Sequence, residues 1–411
     1  MISFMSELEN NDHRKIGQEL GLFVVSDLIG KGLPMLLPKG AIMRDELERL
    51  ITEEKKTLGY QFVYSPHIAR KETYIKSGHL GRYDAMMPIM TDENGDEFVL
   101  KAMNCPHHFE IYNSSPKSYR DLPLRIAENG TVYRNEKSGE LSGLLRVKNL
   151  TVDDTHHFIR PDQIESEMEM LFKLTDKIYN LFGFKEYKVE ISIRDPKDKQ
   201  KYFGSDEVWE KAEKILIDSV KKWGINYTVE EGEAAFYGPK IDIRVKDSQG
   251  RYWQLATIQL DFNQPENFDL NYTGDDGKPH KVVVIHVAIF GSFERFMGVI
   301  IEHYNGVFPA WLSPVQVKIL PIGEGHFMFA TAVMDRLKAE NIRVELDVSD
   351  ETLGKKIRNA KTEKVPYLLV IGDKEVADNK VTLESRDAGN LGALSVDELV
   401  LKLKEEIKER K

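Results

Sequence analysis

The stretch TVYRNEKSGELSGLLRVKNLTVDDTHHF, residues 131–158, concentrates side chains that could do chemistry. Arg134 and Glu136 stand close together before a turn rich in serine and glycine, and the stretch ends in Asp-Asp-Thr-His-His. The planar guanidinium of an arginine can hold a carboxylate or a phosphate through two parallel hydrogen bonds, which a lysine cannot reproduce. A hairpin with a purely structural role does not need this combination. The plainer alternative is a surface ion pair on the hairpin.

The chain contains a single cysteine, Cys105, which excludes an internal disulfide and suits a reducing compartment. One cysteine can still serve as a metal ligand together with histidines such as His156 and His286. These three residues lie far apart in the sequence, so their spacing does not connect them. Taken alone, Cys105 is typical of a small buried apolar residue, and the residues by themselves leave a metal site open.

Two kinds of periodicity predict the elements that must position these groups. Apolar residues recur at helical spacing from about Ala41 to Gly59, which predicts a long helix, and a short strand after it should end at Pro66. Further helices are predicted over residues 164–183, 206–222 and 293–304. Strands are predicted by alternation in the hairpin and at residues 186–194, 236–247, 251–262 and 281–292. Since few of these strands are separated by a helix, we expect an α+β fold with a mainly antiparallel sheet flanked by helices.

The pattern changes around Leu312-Ser313-Pro314, after which strands and helices alternate strictly. Helices are predicted at residues 326–340, 353–361 and 395–409, with strands between them. Strict alternation predicts a separate α/β domain of about one hundred residues. The expected domains are therefore residues 1–312 and 313–411.

Composition bounds the class of protein. With 411 residues, of which 41% are hydrophobic and 30% charged, the chain has the composition of a soluble globular protein. It has no apolar run long enough to cross a bilayer, and its first residues lack the features of a secretory leader, so we expect a cytoplasmic protein without a membrane partner. The net charge of −10 argues against binding nucleic acid through bulk electrostatics, so any such contact must use a local basic surface.

Three segments, in this order, carry a resemblance to a known family: the first helix with its strand and Pro66, LRIAENGTVYRNE with the hairpin, and IFGSFERFMG with Arg295. KAMNCPHH, AFYGPK and VIHVAI accompany them. Together they resemble the class II aminoacyl-tRNA synthetases, and within them the threonyl-tRNA synthetases, over nearly the whole length. The resemblance implies the class II antiparallel sheet for the body, an anticodon-binding role for the α/β domain, and a homodimer formed through the first segment.

The resemblance also implies a reaction, in which threonine is activated with ATP and Mg²⁺ to threonyl-adenylate and then transferred to the 3′ end of threonine tRNA. Such catalysis consists mostly of orientation and neutralisation of negative charge. Arg134, on the first strand of the hairpin, would bridge the carboxylate and the α-phosphate. Arg146, on the return strand, and Arg295 would hold the γ-phosphate end, and Glu136 would accept from the adenine amino group or fix Arg134. The residues implied in catalysis are Arg134, Arg295 and Lys240, and those implied in nucleotide binding are Glu136, Arg146, Gln254, Thr257, Ser292 and Arg295.

For the amino acid, the resemblance implies one Zn²⁺ per chain, held by Cys105, His156 and His286 and open to the amino and hydroxyl groups of threonine. Valine would leave that polar site unpaired, which rejects it better than an apolar pocket could. The residues implied in binding the substrate are Met103, Asp154, Tyr237, Gln259 and Ala288.

The chain departs from the family at NLTVDD, where relatives usually read GFTQDD. Leu150 stands for an aromatic residue that stacks on adenine, and Val152 for an amide that helps to hold the substrate; each change could cost about 1 kcal/mol. Two alternatives therefore stay open. One is a synthetase-like paralogue that binds amino acid or tRNA without efficient aminoacylation, and the other is a class II ligase for a different amino acid such as serine.

The expected tRNA contacts lie in the α/β domain. ETLGKKIR begins a basic cluster formed by Lys355, Lys356, Arg358, Lys361 and Lys364, which is either a solvated helix face or a phosphate-binding surface. Glu375 matches an anticodon-reading position, whereas Asp350 and Glu384 differ from the usual residues there. Relatives usually carry an N-terminal domain that hydrolyses seryl-tRNA, and little sequence precedes NDHRKIG here. We therefore expect no editing in cis, so that a separate protein would have to supply it.

Overall fold

The computed structural model describes residues 11–247 and 250–411. Residues 1–10, on which the expectation of no leader rests, lie outside the described residues. The chain folds into two compact units. One consists of the described residues up to Val24, Met35–Leu47 and Ile300–Lys411, and the other of Val25–Pro34 and Glu48–Val299. The expected boundary between residues 312 and 313 falls inside the first of these units and stays a prediction.

Helices occur along the whole described chain, and none of them is long and apolar enough to cross a membrane. They are His13–Glu19, Pro38–Thr57, Lys71–Lys76, Cys105–Asn113, Ile164–Leu181, Asp206–Trp223, Gln264–Asn267, Phe293–His303, Phe327–Ala339, Leu353–Thr362, Asp373–Asp378 and Val396–Glu409.

The strands are numbered in chain order. They are β1 Phe23–Val24, β2 Met35–Leu36, β3 Gln61–Phe62, β4 Ile68–Arg70, β5 Met90–Thr91, β6 Glu97–Leu100, β7 Leu124–Tyr133, β8 Asn149–Ile159, β9 Tyr187–Ile193, β10 Tyr227–Glu231, β11 Lys240–Lys246, β12 Tyr252–Asp261, β13 Asn271–Thr273, β14 Pro279–Lys281, β15 Val283–Ala288, β16 Val317–Pro321, β17 Val344–Leu346, β18 Tyr367–Ile371, β19 Val381–Ser385 and β20 Gly389–Leu394.

An eight-stranded sheet dominates the unit that contains Glu48–Val299, with the strand order β10-β9-β11-β12-β15-β8-β7-β3. Its pairings are antiparallel except for β10 with β9 and β3 with β7. The predicted α+β fold with a mainly antiparallel sheet is therefore confirmed. Strand β15 is buried along almost its whole length, as expected for a central strand covered on both faces. The sequence analysis missed the parallel strand β10 and the small sheet β4-β6-β5.

The predicted hairpin is present, and β7 pairs with β8 in register from Leu124 opposite Phe158 to Tyr133 opposite Asn149. Arg134 and Arg146 were expected on its two strands, but both lie in the connection between them, because β7 ends at Tyr133 and β8 begins at Asn149. A strand would fix each side chain perpendicular to the sheet. Their place in the loop beyond the last strand pair instead lets both side chains reach the same cavity.

The helix Phe293–His303 shows how packing aims a charged residue. Phe293, Phe296, Met297 and Ile300 recur at helical spacing and are buried. The ring of Phe296 lies 4.1 Å from that of Phe290 and 4.8 Å from that of Phe182, and burying each such ring stabilises the fold by about 1.5–3 kcal/mol. With the apolar stripe held against the core, Arg295 is turned toward the cavity.

The unit that contains Ile300–Lys411 holds a five-stranded sheet with the order β17-β16-β18-β19-β20. Strand β16 is parallel to β17 and β18, and β19 and β20 follow antiparallel. Its core includes Val317, Ile319, Leu369 and Leu383 from the strands with Leu399 and Leu403 from the last helix. The predicted α/β tail is confirmed, while the short helix Asp373–Asp378 was not anticipated.

Candidate active site

A cavity of about 650 Å³ opens on the eight-stranded sheet, within the unit that contains Glu48–Val299. Every site residue predicted from the sequence lines this cavity: Met103, Cys105, Arg134, Glu136, Arg146, Asp154, His156, Tyr237, Lys240, Gln254, Thr257, Gln259, His286, Ala288, Ser292 and Arg295. The fold thus brings together residues that lie far apart in the sequence, from Met103 to Arg295. Their shared location is a fact of the structure, whereas the role of each stays a prediction.

Three potential metal ligands meet at one end of the cavity. Cys105 begins the helix Cys105–Asn113, His156 lies on β8, and His286 lies directly opposite His156 on β15. One ligand atom from each of the three lies within 4.8 Å of the others, and all three residues are buried. A thiol with two imidazoles is a donor set that zinc takes in open, three-ligand sites. These residues therefore fit the metal that the sequence analysis expected.

Both imidazoles have one nitrogen committed to a protein partner. His286 donates from Nε2 to Oδ2 of Asp261 at 2.9 Å, and the Asp261 carboxylate also accepts from the backbone N–H groups of Asn263 and Gln264. Nδ1 of His156 lies 2.8 Å from Nδ1 of His108. Each ring is left with one nitrogen for a ligand, which is the arrangement that metal-binding histidines require.

Burial keeps two of these ligands, Cys105 and His156, in their neutral forms. It raises the pKa of the Cys105 thiol well above its usual value, helped by the negative charges of Asp154 and Asp261. It also lowers the pKa of His156 well below its usual value, with His286 and His108 adding to the effect. A neutral imidazole can bind a cation directly, whereas the thiol must first lose its proton, so a bound cation would have to favour the thiolate.

Two pairs of polar side chains flank the ligands. Asn104 donates from Nδ2 to Oδ2 of Asp154 at 3.0 Å, and Tyr237 donates from its hydroxyl to Oε1 of Gln259 at 2.8 Å. Gly130 allows the first contact, because a Cβ at that position would lie 2.5 Å from the Asn104 side chain. Burial raises the pKa of Tyr237, so its hydroxyl stays protonated and can donate.

Arginines occupy the other end of the cavity. Arg295 is partly buried, and it donates to the carbonyl oxygens of Leu145 and Gln254 at 2.9 and 3.0 Å. Burial together with the charges of Arg134 and Arg146 lowers the pKa of Arg295 to about 10, so the group is still charged at neutral pH. Nε of Arg134 has no hydrogen-bond partner among the described residues although it is buried. Converging cations with a buried unpaired donor favour an anionic ligand.

Glu136 pairs with a different arginine from the one that the sequence analysis had in view. Its Oε2 accepts from Nε of Arg146 at 2.9 Å, and Arg146 also pairs with Glu140 at 3.0 Å. The role expected of Glu136 stays a prediction.

A residue that the sequence analysis missed organises the next part of the wall. Asp242 on β11 is fully buried, pairs with the ammonium of Lys240, and accepts from Gln254 at 2.7 Å and from Thr257 at 3.0 Å. Three predicted site residues thus converge on one carboxylate that was not predicted. The signal was present, because two-residue alternation places Asp242 on the same face of the strand as Lys240.

The departures from the family pattern form an apolar surface in the same cavity. Leu150 packs with Val132, Val147 and Val152, and all except Val147 line the cavity. The cluster consists of aliphatic side chains.

The cavity also contains residues from a segment that the sequence analysis passed over, SGHLGRYDAMM. His79, Arg82 and Tyr83 line the cavity, with Tyr83 placing its ring 5.8 Å from the guanidinium carbon of Arg134. Burial, with His286 and Arg134 nearby, lowers the pKa of His79 to about 3, which keeps this imidazole neutral. The available signal was a histidine, an arginine and a tyrosine close to two glycines. Lys201 also lines the cavity, and no sequence pattern pointed to it.

Sequence comparison places this cavity in a family. Residues 87–304, more than half of the chain, match the tRNA synthetase class II core domain of the glycine, histidine, proline, serine and threonine enzymes. The chain belongs to the class II aminoacyl-tRNA synthetases. Residues 316–406 match an anticodon binding domain, as expected of such a synthetase.

Within this family the chain is similar to threonine enzymes. It is 47% identical to a threonine–tRNA ligase of Cytophaga hutchinsonii and 49% identical to one of Chlorobium chlorochromatii, over 99% and 100% of its length. It spans 63% of the length of these curated relatives. A crystal structure of the RNA binding domain of threonyl-tRNA synthetase from Cryptosporidium parvum superposes with a TM-score of 0.92 at 37% identity, covering 96% of this chain and 98% of that one.

In the anticodon-binding region of this synthetase, three residues of the predicted basic cluster bind carbonyl oxygens or carboxylates of the same region. Lys356 is buried and donates to the carbonyl oxygens of Pro321 and Asp347, while Lys355 pairs with Glu351 and Lys361 with Glu384. Arg358 is exposed on the same helix. Lys356 therefore does not belong to an exposed basic surface.

Glu375, which the sequence analysis expected at an anticodon-reading position, accepts from the backbone N–H of Gly372 and the hydroxyl of Thr382. Its carboxylate is thus held at the start of the helix Asp373–Asp378.

Proposed function

We propose that this synthetase chain activates threonine with ATP to threonyl-adenylate and transfers the threonyl group to the 3′ end of threonine tRNA. One observation carries the proposal: the potential metal ligands Cys105, His156 and His286 share a single cavity with the arginines Arg134 and Arg295. An amino acid held at the first group would extend its carboxylate toward the second, where a nucleotide phosphate would lie. Similarity to threonine–tRNA ligases supports the choice of amino acid.

At the amino-acid end, Cys105, His156 and His286 would hold one Zn²⁺. When bound, it would supply a Lewis-acidic position for an amino group and a hydroxyl. The protein adds directional groups around it. Asp154, fixed by Asn104, can accept a hydrogen bond from the amino group of the substrate, and Tyr237 with Gln259 forms a hydrogen-bonded pair beside it.

At the nucleotide end, the chain contributes mainly positive charge. The guanidinium of Arg134 can bridge the attacking carboxylate and the α-phosphate, because its planar fork presents donors to two oxygens at once. Arg295 is held by two carbonyl oxygens and Arg146 by two carboxylates, so neither must reorganise when ATP and its Mg²⁺ bind. Their charges would stabilise the pentavalent α-phosphate and the departing pyrophosphate.

The remaining expectations belong to the same proposal. The synthetase would act as a homodimer in the cytoplasm, and its α/β domain would contact threonine tRNA. Strand β3, which belongs to the segment expected to form the dimer, is the last strand in the order of the large sheet.

Pyrophosphate exchange measured across the amino acids, with zinc content determined on the same sample, tests the proposal. We expect exchange with threonine, weaker exchange with serine and none with valine. Serine lacks one methyl group, and the burial of one methyl discriminates by only about 10- to 200-fold. Serine as the preferred substrate would favour the ligase for another amino acid, and binding without exchange would favour the non-catalytic paralogue.

A further inference from the structure

A chain of buried polar side chains extends from His156 away from the cavity. Nδ1 of His156 lies 2.8 Å from Nδ1 of His108, and Nε2 of His108 lies 3.1 Å from Oε2 of Glu128. The three side chains come from β8, from the helix Cys105–Asn113 and from β7. His156 is 1% exposed, His108 0% and Glu128 4%, so water does not compete for these contacts.

Glu128 is a hydrogen-bond acceptor at neutral pH. Burial raises the pKa of its carboxyl group, but hydrogen bonds from His108 and Ser65 and the charge of Lys101 outweigh burial and lower the pKa to about 2. The backbone N–H of Ser65 donates at 2.8 Å and its hydroxyl at 2.7 Å, and Nζ of Lys101 lies 3.5 Å away. An ionised carboxylate has no proton to give, so whatever faces it must donate.

This fixes the protons of both imidazoles in turn. When both rings are neutral, each has one N–H and one acceptor nitrogen. His108 must donate from Nε2 to Glu128, which leaves its Nδ1 as an acceptor, and His156 must then donate from Nδ1. The opposite order would set an unprotonated nitrogen of His108 against the carboxylate and would place a proton on Nε2 of His156.

Nε2 is the nitrogen of His156 that faces the cavity, since it lies 4.0 Å from Oδ1 of Asp154. We propose that Glu128 and His108 are positioning residues that hold His156 in its Nδ1-protonated tautomer and in the ring orientation that offers Nε2 to a metal ion. This inference rests on the metal site of the proposed function.

The hydrogen-bonded series Glu128–His108–His156, called the relay below, also couples two of the potential metal ligands. His108 follows Cys105 by one helical turn on the same helix, so both lie on one face of it. A hydrogen bond from His156 to His108 therefore ties the orientation of one ligand to the helix that carries another. The third ligand, His286, reaches its carboxylate Asp261 directly.

Zinc affinity of the full chain, measured by competition with a chelator, tests the relay. His108→Leu removes both hydrogen bonds and should weaken zinc binding by about 10- to 100-fold. His108→Gln retains one acceptor and one donor in the side chain and should recover most of that loss. His107→Gln is the matched control, because His107 precedes His108 on the helix and takes no part in the relay. Its zinc affinity should equal that of the unmodified chain.

Substitution of zinc by Co²⁺ adds a spectroscopic measurement that a general loss of stability would not change. The visible absorption bands of cobalt should shift in His108→Leu and return toward the original in His108→Gln. If the unmodified chain binds zinc through Cys105 while His108→Leu keeps both the affinity and the cobalt spectrum, the relay is wrong. If Cys105→Ser leaves zinc binding unchanged, the metal site itself is wrong, which distinguishes the two failures.

A measurement on the unmodified protein covers the case in which His108→Leu does not fold. Nitrogen-15 spectra of histidine-labelled, zinc-free chain report which ring nitrogen of His156 carries the proton, with His156→Gln providing the assignment. Protonation at Nδ1 supports the relay, and protonation at Nε2 overturns it.

Discussion

The two ends of the cavity are built on different principles. At the metal end, each ligand side chain that needs an orientation has a buried partner from another element, as in His156 with His108 and His286 with Asp261. At the nucleotide end, the walls include an apolar surface of Leu150 and Val152 beside arginines bound to carbonyl and carboxylate oxygens.

This difference indicates which positions can be substituted while the fold is kept. A buried hydrogen-bonded network fails as a whole when one member is lost, because its partner is left unsatisfied at a cost of about 1–3 kcal/mol. A single apolar side chain on a strand face can be replaced by another apolar one, and the effect on ligand binding is smaller than that of losing a member of such a network. The sequence analysis expected the three metal ligands to match the family pattern and Leu150 and Val152 to depart from it, which is in line with that contrast.

The largest effect is expected at the metal end. Cys105→Ser, His156→Ala and His286→Ala should each reduce zinc from about one per chain to near zero and abolish threonine-dependent pyrophosphate exchange, because an open site has only three protein ligands. Metal analysis of dialysed protein, with circular dichroism as a check of folding, provides the measurement. Leu150→Phe is the control from the other end and should retain its zinc. Stoichiometric zinc in all three ligand variants would show that the site is misassigned.

The arginines come next. Arg134→Ala and Arg295→Ala should each slow adenylate formation by about 100-fold or more, because each removes charge that stabilises the reacting phosphates. Single-turnover kinetics with saturating threonine would measure this step. Arg146→Ala should have a smaller effect, since its side chain is 42% exposed and shares its charge with Glu136 and Glu140. Equal rates in the Arg134 variant and the unmodified enzyme would remove the proposed bridging role.

A smaller and opposite effect should follow from restoring an aromatic residue. Leu150→Phe should tighten ATP binding by about fivefold, the equivalent of about 1 kcal/mol, if stacking on adenine is the interaction that this chain lacks. The KM for ATP should fall while the KM for threonine stays constant. Leu150→Met is a matched control that keeps the side chain apolar without a ring. An unchanged KM for ATP in the phenylalanine variant would mean that the nucleotide is held differently.

The smallest effects are expected in the α/β domain. Arg358→Ala should weaken tRNA binding slightly and lower the slope of its salt dependence by about one, because an exposed cation can neutralise one phosphate. Lys356→Ala should instead lower the free energy of unfolding, since Lys356 is buried and donates to two carbonyl oxygens. Filter binding at several salt concentrations and urea unfolding separate the two outcomes. A reduced salt slope in Lys356→Ala with unchanged stability would contradict this assignment.

Several strands and helices could be predicted from the local pattern of apolar and polar residues. Two-residue alternation predicted the hairpin strands and those that became β11, β12 and β15, and helical spacing predicted the helix Phe293–His303 that presents Arg295. The metal ligands could be named only through resemblance. The positions of Arg134 and Arg146 in a loop were mistaken for strand positions, because alternation does not mark where pairing stops.

The sequence by itself predicted most of the helices and strands and their apolar faces, because side-chain periodicity extends over a few consecutive residues. Only the tertiary structure decided which faces meet. The register of β15 against β8 sets His286 opposite His156, and helix packing brings His108 between His156 and Glu128. Lys356 shows the same limit, since it looked like a surface charge until its helix was placed on β16 and its ammonium was buried. Such contacts depend on distances between residues remote in sequence, and those distances exist only once the sheets and helices have packed.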